Sequence, residues 1–343
     1  MSDTSKKMVL LTMAVIMALG MGEIVLRVID YGSITPEMNF GVNTQMALDK
    51  GRFLPDEDLF WKLPVHPRDA AIRAIQPDVD VPAKGERRRI LVLGDSCSRL
   101  SQAIPPYSAL LEDSLRSLNI EVWNAAVPGY TTWQGRAWLP KQLLAIQPDV
   151  AVIYFGWNDH WRATGITDED YARQMQGSSL RLTQLFRKMP DPPPLRVTGT
   201  QYRENLQAMV AEFEAIGTRV ILVTAPSNLT QEARARILQT RYLIRGDNAG
   251  AIHQEYLAVV REVCAGSGAN LLDASQVFAA MGNPKQLLMR DGIHLTDKGH
   301  QLMATLLAAR LAASLANGAE GNVSDTQALV DRARLFMQTG EEH

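Results

Sequence analysis

From Arg89 onward, short apolar runs alternate with amphipathic stretches of helical period, the pattern of a parallel sheet covered by helices on both faces. The apolar runs predict strands at Ile90–Leu93, Glu121–Trp123, Val150–Phe155, Arg219–Thr224 and Asn270–Leu272. Between and after them, helices are predicted near Pro106–Leu118, Trp133–Ile146, Tyr202–Ile216, His253–Ala265 and Lys298–Ala316. Five parallel strands joined by right-handed helical crossovers make a three-layer α/β/α, doubly wound domain of flavodoxin-like type. In such a sheet ligands bind beyond the carboxyl ends of the strands. Chemistry is therefore to be sought where the apolar runs stop.

The pattern also divides the chain. Residues 86–318 carry the repeating β/α signal. Residues 31–85, rich in Pro, Asp and Gly, read as a loop-rich lead-in packed on that domain. Residues 157–200 are long for a strand-to-helix connection and include Pro192-Pro193-Pro194, which suggests a lid or binding insertion. The tail, 319–343, reads as a short polar helix. At the other end, Lys6-Lys7 precede an uncharged run of about 15 residues, Met8 to Gly22, followed by Glu23 and Ile24-Val25-Leu26-Arg27. A bilayer span needs ~20 residues, so the run fits an anchor if it continues through Leu26, with Glu23 near an interface. It also fits a cleaved signal peptide, with Ala18-Leu19-Gly20 at the cleavage site, or a buried core helix. In the first two cases residues after 30 lie on the extracytoplasmic, periplasmic side.

Composition narrows the partners. The 343 residues are 46% hydrophobic and 21% charged, with a formal net charge of −2. Such a balance offers no concentrated basic surface for nucleic acid. The run Arg87-Arg88-Arg89 reads as a solvated strand entrance. Two cysteines, Cys97 and Cys264, form neither a disulfide framework nor a zinc-ligand set and are expected to be free thiols.

Four segments carry the candidate chemistry. The first strand ends in Gly94-Asp95-Ser96, the second in Asn124-Ala125-Ala126-Val127-Pro128-Gly129, and the third in Gly156-Trp157-Asn158-Asp159. The fourth, Asp291-Gly292-Ile293-His294, lies after the fifth strand and before the last helix. In this order the blocks resemble the signatures of the SGNH (GDSL-like) hydrolases, over roughly residues 89–316. The resemblance implies Ser96 as nucleophile, His294 as its base and Asp291 as the residue that orients the base. It implies an oxyanion hole from the Ser96 and Gly129 amides and the Asn158 side chain. It departs from the family at Leu100, where a glycine is common four residues after the nucleophile; this puts the shape of that loop in question.

Chemistry asks for the same set. A serine hydroxyl is a weak nucleophile until a base takes its proton, and neutral imidazole suits that role near pH 7. The imidazole needs an acceptor on its other nitrogen, which a carboxylate three residues earlier can reach on a tight turn. Gly129, with no Cβ, lets its backbone approach a substrate. Asp95 and Asp159 are read as structural, His300 as a residue of the last helix and not a second base. Cys97 is not the nucleophile, because the family presents the preceding residue. Tyr130, Trp157, His160 and Trp161 are candidates for the substrate pocket, against the alternative that aromatics here, such as Trp133 and Trp138, pack a helix on the sheet.

The resemblance thus implies a serine esterase that works through an acyl-enzyme, with no metal and no cofactor. Its expected substrate is an acyl ester, foremost an O-acetylated carbohydrate, met by a membrane-anchored enzyme. The rivals are an O-acyltransferase using the same triad and a non-catalytic binding or assembly protein on this scaffold.

Overall fold

The structure, a computed structural model, describes residues 2–29, 31, 39–40, 42–77, 80–163, 165–177, 180–186, 190–240, 242–316 and 326–339. Strand side chains project alternately to opposite faces, and the central strands use this to feed two cores. In β3 (Arg88–Gly94), Ile90 and Val92 enter one core while Leu91 and Leu93 enter the other. In β5 (Val150–Tyr154), Val152 and Tyr154 oppose Ala151 and Ile153 in the same way. These strands have no water-facing side, which is why their sequence is apolar without alternation.

With β4 (Ile120–Ala126), β6 (Arg219–Val223) and β7 (Asn270–Leu272), they form a five-stranded sheet of order β4-β3-β5-β6-β7. All four pairings are parallel. The helices Tyr107–Ser114 and Asp297–Ala316 cover one face; Thr132–Trp138, Gly199–Ala215 and Ala249–Ala265 cover the other. This is the expected three-layer α/β/α flavodoxin-like arrangement. The strand order reverses between β4, β3 and β5, so the ligand crevice of such a sheet falls at their carboxyl ends.

Several expectations change. The helix expected over Trp133–Ile146 stops at Trp138, and a short 3-10 turn, Leu143–Ile146, follows. Pro140 lacks the amide hydrogen a continuing helix would use. Arg89 is not a solvated strand entrance: it is 2% exposed, and its guanidinium reaches Glu121 at 2.6 Å. It also donates to the carbonyls of Ile146, Pro82 and Ala83. Arg87 and Arg88 do stay in solvent. The tail helix, Thr326–Thr339, buries Val330 and Ala333 against the domain and is not polar throughout.

Residues 54–62 form a hairpin, β1 (Leu54–Asp56) with β2 (Phe60–Lys62), that periodicity did not predict. Its Leu59, Phe60 and Trp61 are buried in the core. The N-terminal helix, Asp3–Val28, is 26 residues long and none of its side chains is buried, so it is not a core helix. Cys97 and Cys264 are free and buried.

Candidate active site

The site is assembled by what happens after three strands end. At the end of β3, a Cβ on Gly94 would come within 2.7 Å of both the Ser98 hydroxyl and the Tyr154 carbonyl oxygen. Only glycine lets the chain turn so close to β5. Asp95 then caps the four-residue helix Ser96–Arg99, its carboxylate accepting from the Cys97 amide at 2.8 Å. Past the serine, the Leu100 carbonyl accepts from His300 Nε2 at 2.8 Å, and His300 Nδ1 accepts from the Tyr107 amide at 3.2 Å. His300 therefore secures the loop at the point where the chain departs from the family's glycine. Both ring nitrogens are occupied, and burial lowers its pKa to about 4, so the ring stays neutral.

After β4, Gly129 adopts φ +84°, a left-handed conformation that side chains with a Cβ rarely take. A Cβ there would also meet the Trp61 ring at 3.0 Å. The lead-in holds this turn: Trp61 Nε1 donates to the Pro128 carbonyl at 3.2 Å, and the Tyr130 hydroxyl donates to the Trp61 carbonyl at 2.6 Å. After β5, Asn158 donates from Nδ2 to Asp95 Oδ2 at 2.9 Å and to the Tyr130 carbonyl at 3.0 Å. These two bonds draw the ends of β3, β4 and β5 together. Asp159 accepts from the amide and hydroxyl of Thr132, at 2.8 and 2.5 Å.

The fourth segment arrives on the loop before the helix Asp297–Ala316. Asp291 Oδ1 accepts from the Ile293 and His294 amides at 2.9 and 3.0 Å, curling the carboxylate back over its own turn. Gly292 has φ +72°, and a Cβ on it would lie 2.2 Å from the Asn228 carbonyl oxygen. With Asp291 so held, its Oδ2 lies 2.7 Å from His294 Nδ1, and His294 Nε2 lies 2.9 Å from Ser96 Oγ. An ionised carboxylate only accepts, so Nδ1 carries the proton and Nε2 is free to accept from the serine.

Burial pulls the His294 pKa down, but the hydrogen bond and charge of Asp291, with the charge of Asp95, outweigh it and the net shift is upward. Burial likewise pushes the Asp291 carboxyl up, and the His294 contact and the two amides overcome it, leaving the net shift downward. Ser96, Gly129, Asn158, Asp291 and His294 are all partly exposed, whereas Asp95, Cys97, Tyr130 and Asp159 around them are buried. Among the described residues, the Ser96 and Gly129 amides donate to no protein acceptor.

The four aromatic-pocket candidates are placed otherwise. Tyr130, Trp157, His160 and Trp161 are at most 4% exposed and lie behind the site, within the protein. Trp157 stacks on His253 with centroids 4.1 Å apart. His253 Nε2 donates to the Ala225 carbonyl at 3.0 Å, so its Nδ1 must accept from His160 Nε2 at 3.1 Å. Burial lowers both histidine pKa values, that of His253 to about 4. They are a neutral, packed layer that supports the Asn158 turn and offers no ring face to a substrate.

Sequence reasoning missed Arg196. It is buried with Asp168, at 2.9 Å, and donates from Nη1 to the Gly129 carbonyl at 2.7 Å. Its guanidinium also lies over the rings of Phe40 and Trp61. The connection 157–200 is thus in part a buttress for the Gly129 turn. A lone arginine after a proline run carries no periodic or motif signal that could have marked it.

A serine hydroxyl facing an imidazole held by a carboxylate, at the switch point of a parallel sheet, defines a serine hydrolase. The chain belongs to the GDSL-like Lipase/Acylhydrolase family, whose profile matches residues 92–302, and is a serine ester hydrolase of the GDSL, or SGNH, type. It is 24% identical to a GDSL esterase/lipase of Arabidopsis thaliana over 64% of this chain and 76% of that protein. It is 25% identical to an isoamyl acetate-hydrolyzing esterase 1 homolog of Bos taurus over 63% of this chain and 78% of that protein. Among solved structures it resembles a lipase/acylhydrolase from Enterococcus faecalis, with TM-score 0.47, 25% identity and coverage of 65% of this chain and 95% of that one.

Proposed function

We propose that the protein hydrolyses short-chain esters by a two-step acyl-enzyme route, with Ser96, His294 and Asp291 as its triad. The carrying observation is the continuous relay from Asp291 Oδ2 through His294 to Ser96 Oγ, at 2.7 and 2.9 Å. As Ser96 Oγ bonds to the ester carbon, its proton passes to His294 Nε2, and Asp291 stabilises the imidazolium. The imidazolium then gives that proton to the departing alcohol oxygen as the C–O bond breaks. Water repeats the sequence on the acyl-serine and frees the acid.

The uncommitted amides of Ser96 and Gly129 are suited to hold the oxyanion. Asn158 Nδ2 would be the third donor, shared with or taken from the Tyr130 carbonyl. Fixed donors of this kind stabilise developing charge without reorganising, and losing one costs ~10²–10³ in kcat.

The acyl group we assign is acetyl, and the alcohol a carbohydrate on the extracytoplasmic side of a membrane. The relative named for isoamyl acetate hydrolysis supports the short acyl group. The N-terminal helix, whose most apolar 18-residue stretch has a mean hydropathy of 2.3, supports the anchor. The test is release of p-nitrophenol from p-nitrophenyl acetate by the native chain, Ser96→Ala and His294→Ala. Either substitution is expected to cost ~10⁶ in kcat. Equal rates in all three folded proteins would overturn the triad. Acetyl transfer to added polysaccharide outpacing hydrolysis would reassign the enzyme as an acyltransferase.

A further inference from the structure

The N-terminal helix does not leave the domain freely. Near its carboxyl-terminal end, Glu23 turns back toward the 157–200 connection. Its two carboxylate oxygens accept from the Arg181 and Leu182 amides, both at 2.9 Å. Arg27 lies 2.8 Å from Glu23 and donates to the Gly177 carbonyl at 3.2 Å.

Helix geometry sets the depth of the contact. Counting from Met8 at 1.5 Å per residue, a ~30 Å hydrocarbon core ends about twenty residues on, near Arg27 and Val28. Glu23 then lies about one turn below that surface, where a carboxylate is costly unless it is paired and hydrogen-bonded. The amides that satisfy it belong to residues 181 and 182, so those residues must sit at nearly the same level. The side chains around them match such a place. Leu180, Leu185 and Phe186 are 55%, 44% and 86% exposed, beside a helix end that also exposes Val25, Val28 and Ile29. Three large apolar side chains in one short turn are unfavourable in water and favourable at the boundary of headgroups and acyl chains.

We propose that residues 180–186 are a second membrane contact, an interfacial turn beside the carboxyl-terminal end of the N-terminal helix. It fixes the attitude of the catalytic domain to the bilayer. The proposal rests on the reading of that helix as a retained anchor. Two points on a rigid domain, helix and turn, remove the swivel that a single helix would leave. The turn belongs to the same 157–200 connection that carries Asn158, so the rim of the sheet is held relative to the membrane plane.

The experiment uses the full chain in phosphatidylcholine–phosphatidylglycerol vesicles doped with lipids carrying a quencher at headgroup or mid-chain depth. Cys97 and Cys264 are buried, so an added thiol can carry a fluorophore, with the unsubstituted chain as blank. Three variants are labelled: Ile16→Cys in the helix, Phe186→Cys in the turn, and Leu118→Cys, exposed just before β4, at the amino ends of the strands. Retained hydrolysis of p-nitrophenyl acetate shows that each is folded. The expected result is loss of signal at 16 to the mid-chain quencher, loss at 186 to the headgroup quencher, and none at 118. Quenching at 16 with position 186 as bright as 118 would overturn the interfacial turn and leave the anchor standing. No quenching at 16 would remove the anchor and the proposal with it.

Discussion

Three aspartates within the site region show how environment, not residue type, sets a role. Asp291 faces a histidine and two amides, and these overcome burial to keep it ionised. Asp95 is wholly buried, and burial raises its pKa to about 6 against the Cys97 amide, the His294 charge and Asn158. Asp159 has one oxygen with no partner among the described residues, and burial raises its pKa to about 7. Three predictions follow from these shifts. His294 must be neutral to accept the serine proton, so kcat/KM should rise with pH, with its inflection above the ordinary histidine value. Asp291→Asn removes the charge that lifts it; the inflection should move down in a pH–rate profile while kcat falls by ~10⁴. For Asp159 the folded pKa lies above the unfolded one, so the folded state holds the proton more tightly. Its contribution to stability is full at acid pH, below the unfolded value of 3.8, and is lost as pH rises through about 7. Thermal melts across that window should show the native chain weakening with pH and Asp159→Asn lacking that component.

At the scale of elements, the loops after the strands matter more than the strands. The strand cores were legible because a side chain buried on either face must be apolar, and Ile90–Leu93 and Val150–Tyr154 are. The loops were legible only through the resemblance. Their geometry depends on contacts far away in the chain, such as Arg196 to Gly129 and His300 to Leu100. The same distance explains the misplaced aromatics. Trp157 and Trp161 flank Asn158 in sequence, but only the packed layer shows that their rings point inward. Gly292 tests the loop geometry directly. Gly292→Ala combines a left-handed φ with a collision on Asn228 and should destabilise by ~1–3 kcal/mol. Displacing His294 from Ser96 by about 1 Å should cost ~10² in kcat, read in a sample shown to be folded by circular dichroism.

For the molecule as a whole, the first eighty-five residues divide into two parts with opposite demands. No side chain of the N-terminal helix is fully buried, and its bonds to residues 177–182 lie outside the site. A chain beginning at residue 31 should therefore keep its p-nitrophenyl acetate kinetics and, on the anchor reading proposed above, lose its stable hold on the membrane. A chain beginning at residue 86 loses Phe60 and Trp61 from the core, and truncating a buried aromatic alone costs ~3–5 kcal/mol. It also loses the bonds from Trp61 to the Gly129 turn, and should be insoluble or inactive in the same assay.

The amino-acid sequence by itself determined the layered α/β architecture and the apolar N-terminal helix. Both are consequences of local patterning, in which burial is repeated residue after residue. It also determined, through ordered short blocks, which residues to compare with a hydrolase triad. Only the tertiary structure decided that Arg89 is buried, that the aromatics lie behind the site, and that Arg196, Trp61 and His300 brace its loops. Those outcomes rest on partners distant in the chain, 32 residues for Arg89 and Glu121, 67 for Arg196 and Gly129 and 200 for His300 and Leu100. The energy of burying or pairing a side chain depends on its neighbours in space, which no local pattern records.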